Sequence, residues 1–406
     1  MTKALIIGGG VAGPTSAIAL RRAGLEPVVY EAYERGADGI GQNLVLAVNG
    51  YSALLALGVP HLAEGFDIPR YRFNLGGGKR LAKIPNGEPL ADGTVARAIT
   101  RSDLYTALRD EAIGRGIEIN FGKRLVDAKV GPDGVTAHFS DGTEDHGDVL
   151  VGADGLHSVT RKIIDPAELT FRYGRLWTTG GYCTGIETPH ETGTEFMYYG
   201  KRGFYCNITD PDGRVWWYAT VTRPKEPTPE EISAITPEQW RSQLIDTFSV
   251  DKSPAVEVIK ATDAIWPPRP IQDIPHLPKW HNDRMVVIGD ACHAVSPSGG
   301  QGVSMAIEDS VVLGKCLRDI PDIGRALERY EQLRRERVEK VVAFGKQCGR
   351  ALEAGGPFRR LSRDMIARIA YSERGSEYSH EEMKWLYSHR IDWESPVGQD
   401  GVSAGA

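Results

Sequence analysis

The sequence predicts an α/β protein: a doubly wound parallel sheet with an inserted β-rich domain and C-terminal helices. Three observations predict it. An apolar run, Ala4-Leu5-Ile6-Ile7, passes through a glycine turn into an apolar-periodic stretch from Ala17 to Ala23. Far downstream, Met285-Val286-Val287-Ile288 restarts the same strand-then-helix order. Between them, residues 171–270 gather aromatics and short strand-like runs.

The elements follow in order. Pro27-Val28-Val29-Tyr30 reads as a second buried strand. Gly76-Gly77-Gly78 and Pro85-Asn86-Gly87 supply turn chemistry between short strands over 71–95. Leu104, Leu108 and Ala112, four apart, mark a helix over 101–116. Val135-Thr136-Ala137-His138-Phe139 alternates, and Asp141-Gly142 closes it with a hairpin-like turn. Asp148-Val149-Leu150-Val151-Gly152 is a buried-strand candidate. The aromatics of 171–270 read mostly as core of an antiparallel sheet. A helix is expected over about 301–318. The Arg/Glu-rich stretch 326–352 reads as a helix with a solvated face. Trp385, Tyr387 and Trp393 are packing anchors of the last helical part, and the final nine residues read as frayed.

This order implies three units. Residues 1–70, 96–170 and 271–340 form a discontinuous nucleotide-binding domain. Residues 71–95 and 171–270 form a β-sheet domain for a substrate. Residues 341–406 form a C-terminal helical segment.

Composition narrows the class. The chain has 406 residues, 41% hydrophobic and 25% charged, as in globular proteins that bury a large core. Its net charge of −6 leaves no footprint for nucleic acid. No apolar stretch is long enough to span a bilayer. The N-terminal apolar run belongs to the first strand and is not expected to be a signal peptide. Five scattered cysteines without a CxxC pair favour a reducing, cytoplasmic setting over a disulfide framework.

The chemistry starts at Gly8-Gly9-Gly10-Val11-Ala12-Gly13. Between strand and helix, glycines at 8, 10 and 13 fit the Rossmann-like dinucleotide fingerprint. The first makes the turn, the second admits a pyrophosphate, and the third lets helix pack on strand. Glu31, at the end of the second strand, is placed to accept from a ribose diol. Two further segments stand out: Gly152-Ala153-Asp154-Gly155 with Arg161 beyond it, and Gly289-Asp290-Ala291-Cys292-His293, continuing to Pro297-Ser298-Gly299-Gly300-Gln301-Gly302.

With these three motifs in this order, the chain resembles the single-component FAD-dependent aromatic hydroxylases. These flavoprotein monooxygenases are typified by para-hydroxybenzoate hydroxylase. The resemblance covers most of residues 1–340 and leans to the salicylate hydroxylase and tetracycline-modifying branches. It implies non-covalent FAD, held by Gly8, Gly10, Val11, Ala12, Gly13, Glu31, Arg35, Gln42, Arg101, Asp154, Asp290, Gly300 and Gly302. Asp290 would accept from the ribityl hydroxyls, as an ionised carboxylate suits a polyol. Arg101 would sit near the phosphates. Arg35 would contact the adenosine side, and Gln42 would border the flavin. Arg161 is placed either to touch pyrophosphate or to pair with Asp154. Pro297, Gly300 and Gln301 would line the reacting edge of the flavin, with helix N–H groups facing its anionic form.

The resemblance further implies NAD(P)H as a transient co-substrate, since no second G-x-G-x-x-G exists. With O2 it would oxygenate an aromatic or polyketide-like small molecule through a C4a-hydroperoxyflavin. Tyr198, Tyr218 and His138 are unranked candidates for a general base. His293 with Asp290 forms a D-x-x-H pair, but a catalytic zinc wants three protein ligands and no metal is expected. Two other readings remain: an FAD reductase or dehydrogenase without oxygen insertion, and a non-enzymatic flavin-binding protein.

Overall fold

The computed structural model describes residues 1–34, 42–59, 62, 64–189 and 191–397. Its centre is a five-stranded sheet, ordered Met285–Val287, Val149–Gly152, Lys3–Ile7, Glu26–Tyr30, Glu118–Asn120. Every pair in it is parallel. Its strands are near-continuous apolar runs, as expected of a sheet covered on both faces. Helix Ala12–Arg22 follows the first strand, and helix Gly302–Asp319 packs beside it; Ser310 Oγ reaches Ala12 O at 3.4 Å. Val135–Phe139, by contrast, sits in a separate antiparallel sheet with Leu125–Gly131 and Glu144–Gly147.

The second large sheet has seven strands, ordered Arg269–Asp273, Arg172–Cys183, Val215–Thr222, Gly203–Thr209, Thr194–Tyr199, Arg70–Leu75, Arg80–Pro85. Strands from 70–85 thus share hydrogen bonds with strands from 172–273. Thr194–Tyr199 meets Arg70–Leu75 in parallel, and the other pairs are antiparallel.

Alternation along these strands sorts the aromatics onto two faces. The outer face carries Trp177, Phe196, Tyr198, Tyr205 and Trp217, packed under helices Pro237–Phe248 and Ala255–Ala261. The inner face carries Tyr71, Phe73, Tyr199, Phe204, Cys206 and Tyr218, packed toward Leu352 and Tyr371. Beyond them Trp216 and Tyr182 meet a small sheet of Asn43–Leu46, Arg97–Thr100 and Phe66–Asp67.

Two expectations need correction. The division at 340/341 falls inside one continuous helix, Ile323–Leu352. That helix is not simply a solvated charged rod: Arg334 is 1% exposed and bound to carboxylates of the neighbouring helix. The physical reason is that Glu308 and Asp309, buried on helix Gly302–Asp319, require cationic partners.

Candidate active site

The three glycine- and aspartate-bearing motifs converge because they leave adjacent parallel strands at their carboxyl ends. The first strand ends at Ile7, its neighbour at Gly152, and the edge strand at Val287. Backbone bonds carry the alignment onward: Gly8 N donates to Tyr30 O, Ala153 N to Ile7 O, and Ile288 N to Gly152 O. The chain order reverses on either side of Lys3–Ile7, which is where open α/β sheets bind ligands.

Glycine is required at two of the fingerprint positions by close approach. Gly8 has φ of 108°, and a Cβ there would lie 2.3 Å from Ala153 O. A Cβ at Gly13 would lie 1.8 Å from Gly8 O. Gly10 is different: among the described residues nothing stands within 4 Å of its Cβ position. Protein packing does not explain a glycine there, whereas a ligand lying on the backbone does. The helix that follows begins at Ala12 with no side-chain cap and no acid in its first turn. Its leading N–H groups suit an anion. Glu31 closes the turn: Oε2 accepts from Gly9 N at 2.6 Å and Oε1 from Tyr33 N at 3.0 Å.

Asp290 begins a short helix, Asp290–His293, just after Gly289 turns the chain at φ 56°. Its carboxylate is exposed and has no hydrogen-bond or ion-pair partner among the described residues. Gly302 lies beside it, with Asp290 Oδ1 4.0 Å from its Cβ position. Pro297–Gly299 forms a single helical turn, and Pro297 and Gly300 are exposed. Helix Gly302–Asp319 also starts without a side-chain cap or an acid in its first turn. Two helix N-termini, an open glycine and an unpaired carboxylate fit a long, partly anionic dinucleotide carrying a polyol chain.

Several expected residues have other partners. The Asp154 carboxylate accepts from Ser158 Oγ, Val159 N and Thr160 N, capping helix Val159–Ile164. Arg161 is 3% exposed and donates to Ala291 O and Leu156 O, tying the second motif to the third. Gln301 is 1% exposed, and its Oε1 accepts from Asn49 Nδ2 at 3.1 Å. That buried bond turns its side chain beneath the loop. Arg101 opens helix Arg101–Gly114 with an exposed side chain, its N–H donating to Gln42 O. Gln42 Nε2 and Asn43 Oδ1 are buried without a hydrogen-bond partner among the described residues. Arg35 lies outside the described residues.

The unranked base candidates fall on three different surfaces. His138 pairs with Glu144 in the small antiparallel sheet. Tyr198 lies on the outer face, in a cleft of about 520 Å³ that it shares with Arg80, Phe196 and Lys252. Tyr218 is half-buried on the inner face.

A buried charge network escaped the sequence reading. Asp309 accepts from Gly289 N, His293 Nε2 and Arg334 Nε. Glu308 accepts from Asn49 Nδ2, Arg334 and Arg337. Burial alone would raise both carboxyls, but the facing cations outweigh it and hold both below their ordinary values. His293, in the same short helix as Asp290, is thereby a partner of Asp309 on the neighbouring helix. Paired acids in the middle of an apolar helix, Ile307-Glu308-Asp309-Ser310-Val311, were the available signal.

Comparison with known proteins agrees with this geometry. The chain matches the FAD binding domain family over residues 1–345. It is 32% identical over 409 residues to 3-amino-4-hydroxybenzoate 2-monooxygenase PtnB3 of Streptomyces platensis, covering 97% of this chain and 96% of that one. It is 31% identical over 355 residues to FAD-dependent urate hydroxylase of Klebsiella pneumoniae, covering 85% and 89%. A crystal structure of Klebsiella pneumoniae HpxO with FAD and uric acid superposes with a TM-score of 0.82 at 26% identity, covering 94% and 96%. The chain belongs to the FAD-binding family of aromatic hydroxylases and is an FAD-dependent monooxygenase.

Proposed function

We propose that the crevice at the strand ends holds FAD and that an aromatic or polyketide-like substrate is oxygenated beneath the inner sheet face, with NAD(P)H as reductant. The observation that carries this reading is the space above Gly10, framed by two uncapped helix N-termini and the unpaired Asp290. In this reading the Ala12 helix end and the Gly8–Gly13 backbone bind the pyrophosphate, and Glu31 accepts from the adenosine ribose. Asp290 accepts from the ribityl hydroxyls. Arg101 neutralises phosphate charge from its exposed position. When bound, FAD supplies hydride acceptance and oxygen activation.

The chain's own residues then set the conditions for that chemistry. The N–H group of Gly302, at the start of its helix, stabilises negative charge on the ring edge, whereas the N–H of Gly300 is spent on Pro297 O. Pro297 adds a rigid, N–H-free wall beside it. Gln42 Nε2, without a partner among the described residues, is available to the ring or the substrate. The inner face overlooks this region. A Cβ at Gly349 would meet both Leu176 of that face and Ser298 of the loop. At the far end Trp216 packs with Val45, in the strand that follows Gln42. Its aromatic side chains exclude water from the reacting atoms.

Turnover of the FAD-loaded enzyme under labelled O2, with mass analysis of the product, tests the reading. One labelled oxygen per NAD(P)H is expected. Unlabelled product, or equal turnover under nitrogen with an artificial acceptor, would assign a dehydrogenase instead.

A further inference from the structure

The central strands of the inner face carry no cation. Their inward positions are Trp216, Tyr218 and Thr220; Phe204, Cys206 and Ile208; Glu195, Met197 and Tyr199; and Tyr71, Phe73 and Leu75. Glu195 is the one carboxylate among them. It is 2% exposed, and no Lys, Arg or His pairs with it among the described residues. Register explains its company. Glu195 lies opposite Tyr71, Met197 lies opposite Cys206, and Cys206 lies opposite Tyr218. Cys206 Sγ donates to Glu195 Oε1 at 2.7 Å, and the Tyr218 hydroxyl is a second polar neighbour that favours the charged carboxyl. From the C-terminal helix Tyr387 is a polar neighbour of Tyr71 and of this acid. Arg363, from helix Pro357–Ala370, commits its guanidinium to Tyr199 O and Gly200 O.

Arg214, immediately before the Val215–Thr222 strand, lies over the rings of Tyr182 and Trp216 but is paired with Asp210. Among the described residues the face beside Glu195 therefore offers an acceptor without an uncommitted cation and has a definite preference. Burying an aromatic carboxylate against Glu195 would place two anions in a low-dielectric site without compensation. A neutral ring bearing an O–H or N–H would instead donate into the Tyr218–Glu195 pair. Tyr218, half-buried, is the member of that pair with accessible surface.

Resting on the reading above of an aromatic substrate beneath this face, we propose that the enzyme selects a neutral aromatic hydrogen-bond donor, a phenol, aryl amine or N–H heterocycle, over an aromatic carboxylate, with Glu195 acting through Tyr218. Glu195 is a positioning residue in this assignment. Burial pushes its carboxyl up to about 7, with Cys206 and Tyr218 opposing the rise. Its rejection of anions therefore grows as pH passes neutrality.

The test uses the FAD-loaded enzyme and two probes of one shape, 3-hydroxybenzamide and 3-hydroxybenzoate, titrated by calorimetry. At about pH 8, where most of a carboxyl titrating near 7 is ionised, the amide should bind at least roughly tenfold more tightly. Near pH 6 the ratio should shrink. Glu195→Gln should reduce it to about threefold or less at both pH values. Tyr218→Phe, which keeps the ring, should weaken the amide selectively. Equal or tighter binding of the benzoate would overturn the proposal, as would a ratio unchanged in Glu195→Gln. Binding of neither probe to flavin-loaded enzyme would overturn it too, while leaving the FAD assignment intact. Failure of the wild-type chain to take up FAD would instead sink the functional reading beneath it.

Discussion

The carboxylate of Asp309 accepts a hydrogen bond from the backbone N–H of Gly289 at 2.9 Å. One residue therefore fixes the turn that presents Asp290, from a helix reached after the whole Pro297–Gly302 loop. The same carboxylate holds His293 and Arg334. The turn, the loop and helix Ile323–Leu352 are in consequence one electrostatic unit.

Asp309→Ala should destabilise the protein by about 3–5 kcal/mol, because it leaves the Arg334 guanidinium buried without one of its two carboxylates. Flavin occupancy should fall with it, since Gly289 loses the acceptor that sets its conformation. Chemical denaturation and the flavin-to-protein absorbance ratio check both. A midpoint unchanged from the natural protein would show that Glu308 alone compensates Arg334.

The fingerprint glycines separate into structural and ligand-facing members. Gly10→Val should preserve the fold, as no described residue stands within 4 Å of its Cβ position, yet abolish FAD binding. Gly13→Ala should damage the fold itself, because the new methyl would meet Gly8 O. Thermal melts of both proteins without added flavin distinguish the two effects. A Gly10→Val protein with normal flavin content would make that glycine merely tolerated.

Part of this was legible in the sequence because backbone chemistry wrote it there. Gly8, Gly10 and Gly13 record a turn, a ligand and a helix contact at fixed spacing, and apolar runs ending at Ile7 and Val287 record buried parallel strands. Other features depend on long-range pairing, which spacing does not encode. Nothing near Gly289 announces Asp309, and the Arg/Glu repetition around Arg334 is the same whether a helix faces water or a buried acid. Asp154 reads as a ligand contact, and its sequence setting does not announce that Ser158 and Thr160 also donate to its oxygens. Tyr198 and Tyr218 look alike in sequence, and only strand register sends them to opposite faces.

Asp290→Ala should weaken FAD binding by about 1.5–3 kcal/mol, the range for a hydrogen bond to a charged acceptor. Its exposure and lack of protein partners predict little change in the stability of the flavin-free protein. Fluorescence titration of the apoprotein with FAD gives the dissociation constant. An unchanged value would leave Asp290 with only its place at the start of a short helix.

The buried acids predict opposite pH effects on stability. Glu308 and Asp309 have carboxyls held low in the folded state, so their contribution is present above the ordinary carboxylate range. It is lost as pH falls through their depressed values. Glu195 has the reverse sign: its folded value of about 7 lies above the ordinary 4.5, so the folded protein binds the extra proton. That stabilisation is complete below about pH 4.5 and is lost as pH rises through 7. The full excursion is at most about 3.5 kcal/mol, from roughly 1.4 kcal/mol per pKa unit. Glu195→Gln cannot titrate, so the stability difference between natural protein and variant should move against the natural protein between about pH 5 and 8. Urea midpoints across that range measure it. A difference that stays constant with pH would mean that Glu195 is ionised throughout, and that the sheet supplies it with more solvation than its 2% exposure indicates.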